Sequence, residues 1–329
     1  MQDNRILVTG GAGYVGAALV PRLLKNGYQV TVLDLMLYGD DVLPPHQNLN
    51  TVRGDIRDKS ILKKVLALGQ DIVIHLACIS NDPSFELNPV LGKSINLDAF
   101  KPLVELSEEQ GVKRFIYASS SSVYGIKSER DVHENMILEP LTDYSRYKAD
   151  CEDILRNYQS PSFATVTLRP ATVCGYSRRQ RMDVVVNILT NLAFHKREIT
   201  VFGGEQLRPN IHIDDMVGAY LTVIEAPQEK VAGEIFNVGY ENQPVRQLAE
   251  IVKTVVGDDV RLITTPTNDN RSYHISSEKM KVILAFTPTN TIRGAVSGLY
   301  SALDQGLLPN SLEDEKYFNI KRMKSVNLV

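Results

Sequence analysis

Short apolar runs alternate with longer stretches of helical period from the first residues of the chain. Ile6-Leu7-Val8 leads into a glycine-rich turn and an amphipathic run to Lys25, and Gln29-Val30-Thr31-Val32-Leu33 reads as a second strand. A short strand about Thr51-Val52 and a helix over 59–68 follow. In the strand over 71–77, Ile72-Val73-Ile74 is continuous rather than alternating, the pattern of a strand covered on both faces. Such strands separated by helices predict an α/β fold with a Rossmann-like doubly wound parallel sheet.

A helix over 88–110 carries Leu97, Phe100, Leu103, Val104 and Leu106. That is more apolar surface than one face of a sheet takes, so part of it is expected to meet the partner in a homodimer. The strand over 114–118 runs into Ser119-Ser120-Ser121-Ser122-Val123-Tyr124-Gly125. A strand's carboxyl end opening into a hydroxyl-rich loop is where ligands bind in open α/β sheets; taken alone, four serines are equally a solvated turn. A helix over 143–158 and a strand over 163–169 complete the regular alternation. Beyond Arg169 it loosens, into a helix over 183–195 and a strand over 199–202, and it returns over 210–215 with a helix to Glu225 and a strand over 234–238. We therefore expect a nucleotide-binding domain over 1–168, rejoined by about 210–238, and a smaller C-terminal substrate-binding domain making up most of 169–329. Helices over 245–256, 277–284 and 292–305, with a strand over 260–264, complete the chain.

Composition removes several classes of function. Hydrophobic residues are 43% and charged residues 23%, and 36 basic against 39 acidic residues leave a net charge of -3 over 329 residues. That balance gives no basic surface for nucleic acid and none for a membrane. The chain enters a strand within five residues, with no charged-then-apolar leader and no apolar run long enough to span a bilayer, so a cytoplasmic protein is expected. Cys78, Cys151 and Cys174 lack the paired spacing of a zinc site or a redox dithiol, and no metal is expected.

The chemistry starts at Thr9-Gly10-Gly11-Ala12-Gly13-Tyr14-Val15-Gly16. A strand that breaks into glycines and restarts as a helix aims backbone N–H groups and a positive helix end at one point, which suits a pyrophosphate. Gly10 permits the tight turn, Gly13 the approach of phosphate and Gly16 the helix–strand contact. Glycine spacing alone is a weak signal. The second strand strengthens it by ending in Asp34, at the distance where a carboxylate accepts from an adenosine ribose diol, with no Arg or Lys in Leu35-Met36-Leu37-Tyr38 to hold a ribose phosphate. The cofactor favoured is NAD rather than NADP.

Further on, Tyr144 and Lys148 stand at i and i+4 of a helix and share one face. A phenol with pKa near 10 needs about 4 kcal/mol of preference for phenolate to act as a base near neutrality. A lysine at about 4 to 6 Å would supply most of that. Tyr144 would then exchange a proton with a substrate hydroxyl, Ser120 holding the same oxygen. An exposed helix face with a snorkelling lysine would look the same; the serine strand, the glycine turn and Asp34 occurring in order weigh against it.

With these residues in hand, the chain resembles the extended short-chain dehydrogenase/reductase family, and within it the NAD-dependent nucleotide-sugar epimerases and dehydratases. The resemblance runs from the glycine turn to about Phe286. It takes in Gly54-Asp55-Ile56, His75-Leu76-Ala77, the serine loop, the Tyr144/Lys148 pair, Leu168-Arg169-Pro170, and Arg208 before His212-Ile213-Asp214-Asp215. It implies a catalytic set of Ser120, Tyr144 and Lys148. It also implies cofactor contacts from Gly10, Gly13, Tyr14, Val15, Gly16 and Asp34, from Asp55 and Ile56 at the adenine, from Leu76 and Ala77 toward the nicotinamide, and from Lys148 at its ribose. Ser80, Ser121, Ser122, Thr172 and Asn187 fall at substrate positions, and Arg208 and Arg271 at positions that grip a nucleotide diphosphate.

The departures matter too. Ser80 stands where galactose epimerases of the family have lysine and Thr172 where they have asparagine, while Arg181-Met182-Asp183-Val184-Val185-Val186-Asn187 looks like a bacterial surface-sugar branch. The implied activity is an NAD-dependent nucleotide-sugar epimerase working by transient oxidation at C4, in bacterial surface-polysaccharide sugar biosynthesis. The alternative is a nucleotide-sugar 4-dehydrogenase, such as one acting on GDP-heptose, or a keto-sugar reductase. A 4,6-dehydratase would carry an Asp-Glu pair where this chain has Ser121 and Ser122. A non-catalytic NAD-sensing scaffold has no need for Ser120, Tyr144 and Lys148 together.

Overall fold

The computed structural model describes residues 4–127, 129, 131–267 and 274–328. The chain opens with β1 (Arg5–Thr9), α1 (Gly16–Lys25), β2 (Gln29–Asp34), β3 (Leu49–Arg53), α2 (Lys59–Leu66) and β4 (Ile72–His75). Next come α3 (Asp82–Glu86), α4 (Pro89–Lys93), α5 (Phe100–Glu109), β5 (Arg114–Ala118), α6 (Asp143–Arg156) and β6 (Ala164–Pro170). The helix starts are written in the sequence: Asp58 caps α2 through Ser60 N, and Thr142 forms a capping box with Ser145 at α6.

After β7 (Thr172–Cys174) the order is α7 (Val185–Lys196), β8 (Glu198–Phe202), β9 (Leu207–His212), α8 (Ile213–Glu225), α9 (Gln228–Val231), β10 (Glu234–Val238) and β11 (Glu241–Pro244). The remainder is α10 (Val245–Val256), β12 (Arg261–Thr265), α11 (Glu278–Leu284), α12 (Ile292–Asp304) and α13 (Asn319–Ser325).

Seven parallel strands form the central sheet in the order β10-β6-β5-β4-β1-β2-β3, the Rossmann-like arrangement expected. Connections run to opposite sides of β1, so a crevice opens between the carboxyl ends of β1 and β4. Register puts Thr9 beside both Leu33 and His75, which levels the three strand ends that surround that crevice. Ile6, Leu7, Val8, Val73 and Ile74 are fully buried because both faces are covered. On one face, Leu19, Val20 and Leu23 of α1 pack with Met216, Val217 and Tyr220 of α8; on the other, residues of α2, α5 and α6 pack together.

One expectation needs correction. The apolar excess over 88–110 is absorbed inside the chain: a π-helical stretch, Ser94–Asp98, breaks the helix, and Phe100, Leu103, Val104 and Leu106 are all buried against α2 and α6. Within 210–238, β10 pairs with β6 in the central sheet and α8 packs on α1, while β9 sits in a separate sheet of order β11-β9-β7. β8 and β12 pair in parallel apart from both, over a core of α7, α10 and α12. Among the described residues no helix is long and apolar enough to cross a membrane.

Candidate active site

The glycine turn is built as its spacing requires. Gly10 has φ +74, and a Cβ there would lie 2.5 Å from Ala77 N, so only glycine lets the exit of β1 meet the exit of β4. A Cβ at Gly16 would lie 2.4 Å from Gly11 O, and one at Gly13 3.1 Å from Gly10 O. No side chain caps α1 and no acidic residue stands in its first turn, while Gly13, Tyr14, Val15 and Gly16 line the cleft. An uncapped helix start walled by glycine fits a pyrophosphate, so the residues present fit a dinucleotide.

Asp34 accepts from Ala12 N (2.9 Å) and Met36 N (2.8 Å), which leaves lone pairs on both oxygens. Burial raises its pKa above the usual carboxylate range against the pull of those two bonds. It lines a pocket of about 120 Å³ with Asp55, Ile56, Leu76 and Ala77; the Asp55 carboxylate is held by Arg57 Nη2 at 2.6 Å. Gly10, Gly13, Leu76 and Cys78 line both this pocket and a larger cleft of about 360 Å³, so the two form one groove. Asp34→Ala is expected to weaken NAD binding by about tenfold or more, since a charged acceptor is lost. Titration of cofactor fluorescence checks this, and an unchanged affinity would remove Asp34 from the site.

The larger cleft brings Ser120, Ser121, Tyr144 and Lys148 together with Ser80, Thr172 and Arg208. Ser120 ends the strand-to-helix turn at β5, its Oγ accepting from Ser122 N (3.1 Å) and lying 2.9 Å from Ser122 Oγ. Helix α6 sets Lys148 one turn beyond Tyr144, and Lys148 Nζ donates to Ala118 O at 2.6 Å. In the protein without cofactor the balance at Tyr144 runs upward. Burial pushes the phenol well above its ordinary range and the Cys78 thiol adds to the rise, while Arg181 and a hydrogen bond with Ser120 oppose it. Lys148 Nζ lies 5.9 Å from the centre of the Tyr144 ring, within the range over which an ammonium favours phenolate.

Other positions behave differently from expectation. Asn187 is fully buried, holds Gly175 N (3.0 Å), Tyr14 Oη (3.0 Å) and Arg181 O (2.8 Å) with its amide, and stands behind the residues that line the cleft. Ser122 does not wall the cleft either, since its side chain turns to Ser120 from behind. Arg271 lies outside the described residues.

Arg181 also lines the cleft, a residue the sequence analysis does not single out as a contact. Asp183 pairs with its Nε, Ser80 Oγ accepts from Nη1 at 3.2 Å, and its buried Nη2 has no partner among the described residues. The signal was its i, i+2 spacing to Asp183 in a non-helical segment, which sets both side chains on one side. Asp82 also lines the cleft, accepting from Thr142 Oγ1 at 2.6 Å.

Beneath the reacting wall, Arg169 and Glu152 form a buried ion pair at 2.6 Å, with side chains 2% and 1% exposed. Ser119 donates to Glu152, and Arg169 Nη1 donates to Tyr124 Oη at 2.8 Å. The pair ties β5, α6 and β6 together directly under Ser120.

Comparison with known proteins agrees with this geometry. The NAD dependent epimerase/dehydratase family model matches residues 6–239. A dTDP-D-glucose 4,6-dehydratase from Homo sapiens is 28% identical over 299 residues, covering 84% of this chain and 83% of that protein. A UDP-glucose 4-epimerase from Lactobacillus helveticus is 26% identical over 308 residues, covering 86% of this chain and 92% of that protein. The UDP-glucose 4-epimerase of Thermotoga maritima, solved with UDP-glucose, matches with a TM-score of 0.84 at 27% identity over 92% of this chain and 99% of that one. Relatives of both reaction types leave the reaction to be argued from residues, but the extent of the match shows that the chain belongs to the NAD dependent epimerase/dehydratase family.

Proposed function

We propose that the protein is an NAD-dependent nucleotide-sugar epimerase that inverts a hydroxyl by transient oxidation at C4. The observation that carries the reading is a single cleft wall holding Ser120, Ser121, Tyr144 and Lys148, in a sequence with serines rather than an acid–base pair at 121 and 122. Gly10, Gly13, Gly16 and Asp34 would hold NAD, which when bound supplies a hydride acceptor and a positive ring beside the phenol. Ser120 Oγ would hold the C4 oxygen while Tyr144 removes its proton. Lys148 has N–H groups beyond the one given to Ala118 O, and these would hold the nicotinamide ribose. Arg208, with Arg271, would grip the diphosphate of the substrate. Inversion requires the 4-keto sugar to present its other face to the same wall. The small side chains of Ser80, Ala171 and Thr172 leave room for that turn.

The test is incubation with a panel of UDP-, GDP-, CDP- and dTDP-sugars and identification of products and cofactor. Net inversion with no added oxidant supports the reading; turnover only with an added oxidant would replace it with a 4-dehydrogenase. A companion prediction concerns C5 and C6. Dehydration needs an acid at the leaving oxygen and a base at the neighbouring carbon, and serine hydroxyls titrate too high for either. Glu134 accepts from Asn237 N (2.7 Å) and does not line the cleft; Asp82 does, but one carboxylate cannot fill both roles. In deuterated water the product is expected to show no deuterium at C5 and no 6-deoxy methyl group by mass spectrometry. A 4-keto-6-deoxy product would overturn the choice of epimerase over dehydratase.

A further inference from the structure

The family match ends at residue 239, yet residues 319–328 return to the groove that begins at residue 10. Leu328 walls the Asp34 pocket beside Tyr38, Ile56 and Ile95, and Met323 is buried in the same core as Ile56. Asn319 is buried with every polar atom of its side chain engaged. Its Oδ1 accepts from Tyr38 Oη (2.9 Å) and Arg179 Nη2 (2.6 Å), and its Nδ2 donates to Ser80 Oγ (2.9 Å). Its backbone N–H donates to Asp183 Oδ2 at 2.8 Å, and Arg322 Nε donates to Leu37 O.

Tyr38 lies on the loop leaving β2 and Ser80 on the loop leaving β4, so one side chain joins the two loops that flank the groove. Leu328 then covers the pocket that lies between them. From this arrangement we propose that residues 319–328 are a strap that closes the adenosine end of the cofactor groove, with Asn319 as its latch and Leu328 as its apolar cover. The inference rests on reading the groove as a nicotinamide-dinucleotide site.

A coenzyme that returns to its starting state each turnover never needs to leave, so a cover over it does not slow catalysis. An enzyme that trades its coenzyme every cycle would be throttled by the same cover. The strap is therefore matched to a resident cofactor and to an epimerase rather than a dehydrogenase. Its anchors also reach the sugar end, because Ser80 and Asp183 both hold Arg181 in the larger cleft.

The test measures cofactor release with no sugar present. Full-length protein is loaded with NADH and mixed with excess NAD, and the loss of nicotinamide fluorescence is followed. Leu328→Asp and Asn319→Ala are each expected to release NADH at least about tenfold faster than the parent, having lost an apolar cover or a set of buried hydrogen bonds. Leu328→Met keeps an apolar cover and is expected to release at the parent rate. Leu328 is only half-buried, so Leu328→Asp should keep the parent's thermal midpoint without cofactor, which a purely structural segment would not combine with faster release. Release within about twofold of the parent in both Leu328→Asp and Asn319→Ala overturns the strap while leaving the epimerase reading intact. Equal acceleration in Leu328→Met and Leu328→Asp overturns it as well. A parent protein that neither retains a nicotinamide dinucleotide through purification nor takes up NADH would remove both this inference and the function proposed above.

Discussion

Replacing Tyr144 with phenylalanine is expected to lower turnover by at least about a hundredfold while leaving NAD affinity within about twofold of the parent. The ring stays in place, so the cleft wall and the lysine beside it keep their shape; only the proton carrier is removed. Ser120 cannot substitute, because its hydroxyl titrates far above any working pH. The structure adds a condition to this argument. Burial holds the phenol protonated and Cys78 and Asp82 add to that, against Arg181 and the Ser120 hydrogen bond. Positive charge brought into the cleft by the cofactor would favour phenolate against that burial. Oxidation of the substrate hydroxyl uses the deprotonated form, so the rate should fall as pH is lowered. Initial rates of the two proteins with the true substrate, beside cofactor titrations, check the claim. A variant that keeps more than about a tenth of the parent rate would remove Tyr144 from the chemistry.

What was legible in the sequence was what neighbouring residues build. The glycine turn, the strand ending in Asp34 and the Tyr144/Lys148 pair are each encoded within a few positions, because backbone approach, strand register and helical repeat are local rules. The sheet followed for the same reason: continuous apolar strands leave little choice but burial on both faces. The far end of the cleft is assembled from distant segments: the predicted Ser80, Thr172 and Arg208 line it, while other residues there were not legible. Asn187 reads as a polar contact, and the loop it adjoins contains Gly175 at φ +111 and needs partners for its buried backbone groups, which Asn187 supplies. Arg181 was not singled out, because only its spacing to Asp183 marks it among the neighbouring arginines. Residues 319–328 left no sign, since a seven-residue helix is too short to show a period and is held by bonds such as Asn319 to Tyr38, 281 positions away.

The longest-range consequence lies under the reacting wall. Glu152→Ala is expected to destabilise the protein by about 3–5 kcal/mol, because it leaves the Arg169 guanidinium buried without its counter-charge. Arg169 donates through Nε and Nη2 to both Glu152 oxygens, at 3.0, 3.2 and 2.6 Å, and its other nitrogen goes to Tyr124 and Glu134 O. Water cannot replace the carboxylate, since both side chains are almost wholly enclosed. The two desolvated charges gain little net stability from each other compared with apolar groups, so the cost belongs to breaking the pair and not to lacking it. Glu152→Leu with Arg169→Met should accordingly recover most of what the single change loses, as judged by the urea midpoint. If the single change left the midpoint within the range of ordinary surface substitutions, the pair would have to be reached by solvent. The active site should feel the single change as well. Ser119, which donates to Glu152, precedes Ser120, and Tyr144 and Lys148 share α6 with Glu152, so a shift in α6 would move all three groups proposed for catalysis.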